Sequence, residues 1–210
     1  MIQYSERYLL RPMTYDDIPE VMAIERASFS AAWPRTAYEK ELENRLARYL
    51  VAVRLGGPEG DRRGVRRHFG RLLARGRPRQ SGEIVGFVGV WLMVDEAHIV
   101  TLAVRPDARR QGVGELLVLG ALELAYACGM AHVTLEVRAS NDAAQKLYER
   151  CGFRRVGVRV LYYTDNNEDA VVMTTPPLDD PDFRALFERL RIGHARRFGP
   201  VRQGPATDRR

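Results

Sequence analysis

Arg109, Arg110, Gln111, Gly112, Val113 and Gly114 stand between a run of β-branched and aliphatic residues, Ala97 to Val104, and a long apolar stretch beginning near Leu116. Gly112 and Gly114 flank the slim Val113 at what this pattern marks as the start of a helix, and neither carries a Cβ that would hold a ligand off the backbone. Four backbone N–H groups at such a start lack a partner within the helix, and the helix dipole adds about half a positive charge. Phosphate is the natural occupant. Arg109 and Arg110 can add charge-assisted contacts to it. The alternative is a surface loop with ordinary glycines. The spacing lacks both the Gly-Lys-Ser/Thr of a Walker loop and the three glycines of a dinucleotide fingerprint.

The elements that must hold this loop can be read on either side of it. Pro106 stops the strand Ala97 to Val104. Leu116, Leu117, Gly120, Leu124 and Ala127 give the following helix its packed face, and Gly129 ends it. In the strand His132 to Arg138, Val133, Leu135 and Val137 share one face, and Thr134, Glu136 and Arg138 the other. Ser140 and Asn141 cap a helix reaching about Arg150, stopped by Gly152. Two closing strands, Phe153 to Tyr163 and Ala170 to Thr174, flank an Asp165-Asn166-Asn167 turn, and Pro176-Pro177 ends the domain. Upstream, Arg7 to Arg11 reads as a first strand. Thr14, Asp16 and Asp17 open a helix whose apolar face is Ile18, Val21, Met22 and Ile24. After a break at Phe29 to Pro34, a second helix spans Arg35 to Ala47, with Tyr38, Leu42 and Leu46 at helical spacing. Tyr49 to Arg54 and Glu83 to Val94 complete the strands, the latter joined to Ala97 to Val104 by a hairpin at Asp95-Glu96.

Arg109 to Gly114 matches Arg/Gln-x-x-Gly-x-Gly/Ala, the acetyl-CoA pyrophosphate loop of the GNAT acetyltransferase superfamily. Leu135 to Asn141, Ala144 to Glu149, Gly152-Phe153, Tyr162-Tyr163 and Glu168 to Ala170 resemble the bacterial ribosomal-protein-alanine N-acetyltransferase family, RimI, over about residues 7 to 176. The resemblance implies an α/β GNAT fold: a mostly antiparallel seven-stranded sheet, splayed between strands 4 and 5, with helices on both faces. It implies acetyl-CoA as cofactor and the N-terminal amine of a ribosomal protein as acceptor. An α-amine with a pKa of about 8 needs only about 1.4 kcal/mol to be neutral at pH 7, whereas a lysine near 10.4 needs about 4.6, so a modest base suffices.

The same resemblance assigns Leu102, Ala103, Val104, Arg109, Arg110, Gln111, Gly112, Val113, Gly114, Glu115, Asn141 and Tyr148 to the cofactor. A backbone N–H near Val104 would polarise the thioester carbonyl. It places Glu136 on the family's proton acceptor and Tyr148 where the proton donor meets the coenzyme sulfur. Read without it, Glu136 is a surface carboxylate on a strand, Tyr148 a core tyrosine and Asn141 a helix cap. Trp33, Tyr162 and Tyr163 are expected to wall the acceptor peptide; packing is the other reading for each, as it is for Phe29. The family pattern has Pro before the Trp, whereas here Ala32 precedes Trp33 and Pro34 follows it. A covalent route through Cys151 would want a His base and thiolate character, and its place on an apolar helix end suggests an inert thiol.

At 210 residues with 45% hydrophobic content, the chain suits one domain with appendages: a catalytic domain over 1–177, and a helix and basic tail over 178–210. The charge of +6 is uneven, since residues 54 to 79 carry +7, residues 181 to 210 carry +5, and the remainder −6. The Arg/Gly-rich stretch 55–82 is therefore read as a solvated insert between strands 2 and 3, with a brief helix at Val65 to Ala74 as an option. A ribosome or RNA contact through insert and tail is the functional alternative. In the tail, Phe183, Leu186, Phe187 and Leu190 form an amphipathic helix, and the chain beyond Gly193 is expected to be disordered. No basic leader or membrane-length apolar run is present, so a cytoplasmic enzyme is expected. Cys128 and Cys151 are expected as reduced core or near-core thiols, and no metal site is expected.

Overall fold

The computed structural model describes residues 7–30, 32–55 and 82–199, together with the backbone of Arg202–Gln203. Of the insert read as 55–82, Leu55 ends β2 and Gly82 begins β3; residues 56–81, with the optional helix, and the rest of the terminal tail lie outside the described residues. The strands are β1 (Tyr8–Pro12), β2 (Ala47–Leu55), β3 (Gly82–Met93), β4 (Glu96–Val104), β5 (His132–Arg138), β6 (Arg154–Tyr163), β7 (Glu168–Thr174) and a two-residue β8 (Arg202–Gln203). The helices are α1 (Ile18–Arg26), α2 (Arg35–Glu43), α3 (Val113–Ala127), α4 (Asp142–Arg150) and α5 (Pro181–Phe198). The sheet order is β6-β7-β5-β4-β3-β2-β1-β8. All pairings are antiparallel except β4 with β5 and β1 with β8. The expected seven-stranded splayed sheet is thus present, with β8 added at the β1 edge.

Alternating burial along the strands divides the core in two. On one face α1 and α2 cover Leu9, Val51, Phe87 and Ala103, with Ile18, Val21 and Tyr38 beneath them. On the other, α3 and α5 cover Leu10, Val88, Ile99 and Leu135, with Leu116, Leu117 and Phe187 buried. The helix start read at Thr14 is anchored by Asp17. Its carboxylate accepts from the Thr14 backbone N–H at 2.8 Å and pairs with the Arg11 guanidinium. These bonds, with Arg11 foremost, outweigh the upward push of burial and hold the carboxyl below its ordinary range.

Four expectations require correction. Helix α2 ends at Glu43, because Asn44 turns extended and Ala47 already pairs with Trp91 in the sheet; Leu46 is left exposed. The β3–β4 turn uses Val94 and Asp95, with Val94 at φ 36°, and Glu96 belongs to β4. Helix α5 continues through Gly193 to Phe198. A tertiary contact holds its end: the His194 ring nitrogen Nε2 lies 3.1 Å from the Gly112 carbonyl, while within the helix the His194 ring packs at a tilt against Phe198. Finally, Cys128 is exposed beyond the end of α3, whereas Cys151 is buried and its thiol is pushed up to about 12, chiefly by burial.

Candidate active site

The β4–β5 pairing stops early. Glu96 to Ile99 lie opposite His132 to Leu135, but β4 runs on to Val104 and β5 to Arg138 without facing each other. The cause is local. In the β3–β4 ladder Gly89 pairs with Thr101 and Val90 with Ile99, so Val100 is an extra residue that bends β4 away where its last partner on β5 ends. A cavity of about 440 Å³ opens in the gap. Glu136, from the α1/α2 face, and Tyr148, whose ring packs with the core on the α3 face, both line it. Leu102, Asn141 and Leu147 line it on the α4 side, and Phe29, Trp33, Tyr162 and Tyr163 on the other.

The loop before α3 departs in detail from the sequence reading. Gly112 caps α3 at φ 81°, a left-handed conformation that favours glycine. The missing Cβ of Gly112, however, is needed by the chain itself, since one placed there would stand 2.5 Å from the Phe198 ring. At Gly114 it would meet Leu147 at 3.1 Å, so this glycine lets α3 and α4 approach. Arg109 stays exposed and donates to the Val104 carbonyl at 3.1 Å and to the Ser28 hydroxyl at 3.4 Å. Gln111 donates to the Asp107 carbonyl at 2.7 Å and accepts from the Tyr8 hydroxyl at 3.2 Å. The Glu115 carboxylate is paired with Arg197 of α5, and Val113 is buried. Arg109, Arg110 and Gln111 are all exposed, Arg110 on a backbone at φ 60°. What the loop offers an anion is its backbone amides and the α3 N-terminus, with the exposed Arg109 and Arg110 beside them. Ala103 is buried in the α1/α2 core; Leu102 reaches the cavity.

Asn141 caps α4 through its side-chain oxygen, which accepts from the Ala144 backbone N–H at 3.1 Å, leaving its amide NH₂ to donate elsewhere. Tyr148 is buried, and that burial raises its hydroxyl above the ordinary tyrosine range, so it keeps its proton at neutral pH. On the opposite wall, Trp33 donates its backbone N–H to Glu25 at 3.1 Å and packs on Tyr38, while Phe29 is exposed at the rim. Tyr162 and Tyr163 meet edge to face at 5.3 Å, and the Arg138 guanidinium lies 4.0 Å over the Tyr163 ring. Burial pushes the Tyr163 hydroxyl up to about 12. A bulge in β6, with Leu161 at φ 53° and its N–H held by Asp169, lies immediately before this tyrosine pair.

Glu136 sits between two basic side chains, His98 and Arg159, that sequence reasoning did not find. Its carboxylate is 7% exposed, with Oε2 2.9 Å from His98 Nε2 and Oε1 3.0 Å from Arg159 Nε. His98 lies on β4 and Arg159 on β6, so no local motif connects them to β5. Strand alternation was the only available signal, since His98 shares the non-α3 face of β4.

A mixed sheet with one bulged, half-open parallel pair, a Gly-containing turn into the helix after β4, and an acid and a tyrosine at the gap defines the class of GNAT acyltransferases. The family model described as Acetyltransferase (GNAT) family matches residues 18–153, and the chain belongs to that family, whose acyl donor is acetyl-CoA. Among relatives, a Bacillus subtilis protein named as a candidate ribosomal protein bS18-alanine N-acetyltransferase is 34% identical over 165 residues, 78% of this chain and 92% of the relative. The Escherichia coli K12 ribosomal protein bS18-alanine N-acetyltransferase is 41% identical over 99 residues, 46% of this chain and 67% of the relative. The crystal structure of the ribosomal-protein-S18-alanine N-acetyltransferase from Escherichia coli superposes with a TM-score of 0.63 at 26% identity, covering 81% of this chain and 94% of that one.

Proposed function

We propose that this chain is an acetyl-CoA-dependent N-terminal acetyltransferase that acetylates the α-amine of an N-terminal alanine on a small-subunit ribosomal protein by direct transfer. The acceptor follows the names of the two relatives. A ribosomal acceptor also implies a cytoplasmic setting. The observation that carries the chemistry is that Glu136 and Tyr148, from opposite faces of the sheet, line one cavity at the β4–β5 gap.

The residues fit the coenzyme. The backbone of Gln111 to Glu115 would hold the pyrophosphate, the free edge of β4 at Leu102 to Val104 the pantetheine, and the Asn141 amide a further polar group. When bound, acetyl-CoA supplies the thioester whose acyl carbon the amine attacks. Glu136 takes the amine proton, and Tyr148, still protonated, stands ready to donate to the departing sulfur. Trp33, Tyr162 and Tyr163 line the approach of the acceptor peptide. We assign this chemistry to a catalytic domain of residues 1–177, with 178–210 appended.

A small polyamine is the rival acceptor, and it would want unpaired acids. Instead, each carboxylate in the cavity has a partner: Glu136 has His98 and Arg159, Asp165 has Arg138, and Glu25 bonds the Trp33 backbone. This favours a peptide. An RNA or ribosome contact through 55–82 and the tail rests on charge alone, and catalysis does not depend on it. The test is thiol release from acetyl-CoA with short peptides of varied first residue, against N-acetylated and lysine-only controls. Turnover on a free N-terminal alanine is expected; turnover on small amines alone would replace the acceptor assigned here.

A further inference from the structure

Helix α5 lies wholly beyond residue 153, where the match to the family model ends, yet it reaches the coenzyme loop. Its first half is fixed elsewhere. Asp180 caps it, accepting from the backbone N–H groups of Asp182 at 2.8 Å and Phe183 at 3.1 Å. A Cβ on Gly152, just past α4, would stand 2.7 Å from Phe183 and 2.8 Å from Leu186, and Phe187 packs on Tyr126 of α3 with ring centroids 5.2 Å apart. Its last turns then cross the start of α3: His194 and Phe198 meet Gly112, and Arg197 meets Glu115.

The contact at Gly112 aims an amide. The Gly112 carbonyl accepts from the Leu116 N–H at 2.9 Å, the first bond of α3, and faces His194 Nε2 at 3.1 Å. A carbonyl only accepts, so Nε2 carries the proton and donates. The peptide bond is planar and trans, so pinning this carbonyl turns the Val113 N–H the opposite way, out of the helix start. That N–H is one of those the helix cannot satisfy within itself.

The contact at Glu115 removes a conflict of charge. Glu115 is the third residue of α3, about 3 Å along the axis from Val113 at about 1.5 Å per residue. A carboxylate in the first turn draws on the same positive helix end that a bound anion would use, and the two anions repel. This one is 10% exposed, so water and salt screen it little; Arg197 of α5 is the cation paired with it.

We propose that α5 completes the pyrophosphate site of the coenzyme, with His194 orienting the Val113 amide and Arg197 supplying the counter-charge to Glu115 that frees the α3 N-terminus for the anion. Both are positioning residues, acting through Gly112 and Glu115, and the inference rests on the acetyl-CoA reading above.

The test is the acetyl-CoA Kd, measured by calorimetry on the full chain, with denaturation of each unliganded variant as the check on folding. Arg197→Gln keeps most of the stem and removes the charge. Expected is a Kd raised about fivefold in Arg197→Gln and returned to within about twofold of wild type when Glu115→Gln is added. A pair that served the fold alone would show no such rescue of affinity. His194→Phe keeps a ring beside Phe198 and removes the donor, whereas the His194→Gln amide can still donate to Gly112. The first should raise Kd about threefold and the second leave it within about twofold of wild type. Wild-type affinity in Arg197→Gln, or a double variant that binds no tighter than it, overturns the role of Arg197; wild-type affinity in His194→Phe overturns that of His194. If His194→Phe fails to fold, the Arg197 and Glu115 variants decide. A wild type that binds no acetyl-CoA overturns the coenzyme reading and this inference with it, whereas a binding wild type beside unaffected variants overturns this inference alone.

Discussion

The loop before α3 and the pocket around Glu136 lie along one β4–β5 gap, yet they are held in contrasting ways. At the loop, side chains are tied to neighbouring groups: Arg109 to Val104, Gln111 to Asp107 and Tyr8, Glu115 to Arg197. What remains for a ligand is chiefly the backbone of Gly112 to Gly114, flanked by exposed Arg109 and Arg110. Around Glu136 the reverse holds, and the working surface is side-chain atoms from β4, β5 and β6. A backbone-built site depends on conformation and tolerates most substitutions; a side-chain-built site depends on individual atoms. Substitutions in the two halves should therefore separate into effects on coenzyme affinity and stability, and effects on turnover.

The largest effect apart from Glu136 itself is expected at Tyr148, where the two halves meet. Tyr148→Phe removes a hydroxyl kept protonated by burial. It should lower kcat by about 10- to 100-fold with acetyl-CoA affinity nearly unchanged, in steady-state assays paired with calorimetry. On the backbone-built side, Gly112→Ala places a Cβ at φ 81° and against Phe198. A loss of about 1–2 kcal/mol is expected from the left-handed conformation alone, read by chemical denaturation, with acetyl-CoA KM raised more than kcat is lowered.

A smaller effect should appear as a pH dependence of the α5 dock. Burial, as the leading cause, holds the His194 imidazole below its ordinary 6.5. Between that lowered value and 6.5 the unfolded chain binds more protons than the folded one, so stability rises with pH in this window and falls on acidification. Thermal unfolding from pH 5 to pH 8 should show His194→Gln with a shallower acid slope than wild type. The least effect is expected at Arg197, which is 55% exposed. Arg197→Ala breaks its pair with Glu115, its bond to the Gly193 carbonyl and its contact over the Phe198 ring, and a change within about 1 kcal/mol is expected in the same melts.

This contrast also explains what the sequence could disclose. The loop was legible because a backbone-built site is written in consecutive residues: Pro106 to leave the sheet, Gly112 for the left-handed cap, an apolar helix to follow. The alternation of β5 put Glu136 on the face away from Val133, Leu135 and Val137, but Glu136 and Tyr148 were readable as candidate site residues only through family resemblance. His98 and Arg159 were not, because they meet Glu136 across strands whose registers are set by the Val100 bulge and the β6 bulge. The C-terminal end of α5 was misread for a related reason. Gly193 and the arginines after it suit a tail, but His194 and Phe198 find their partners at Gly112, more than eighty residues away. Likewise Leu46 fits helical spacing, yet the ladder between Ala47 and Trp91 claims the segment for the sheet.

The central claim is that Glu136 serves the reaction and not the coenzyme or the fold. Glu136→Gln, measured for acetyl-CoA affinity by calorimetry and for turnover on an alanine-initiated peptide, tests it most directly. The account predicts coenzyme affinity within about twofold of wild type and turnover lower by about 100-fold or more. Turnover retained near the wild-type rate in a variant that still binds acetyl-CoA would contradict it, and would leave Glu136 as a structural partner of His98 and Arg159.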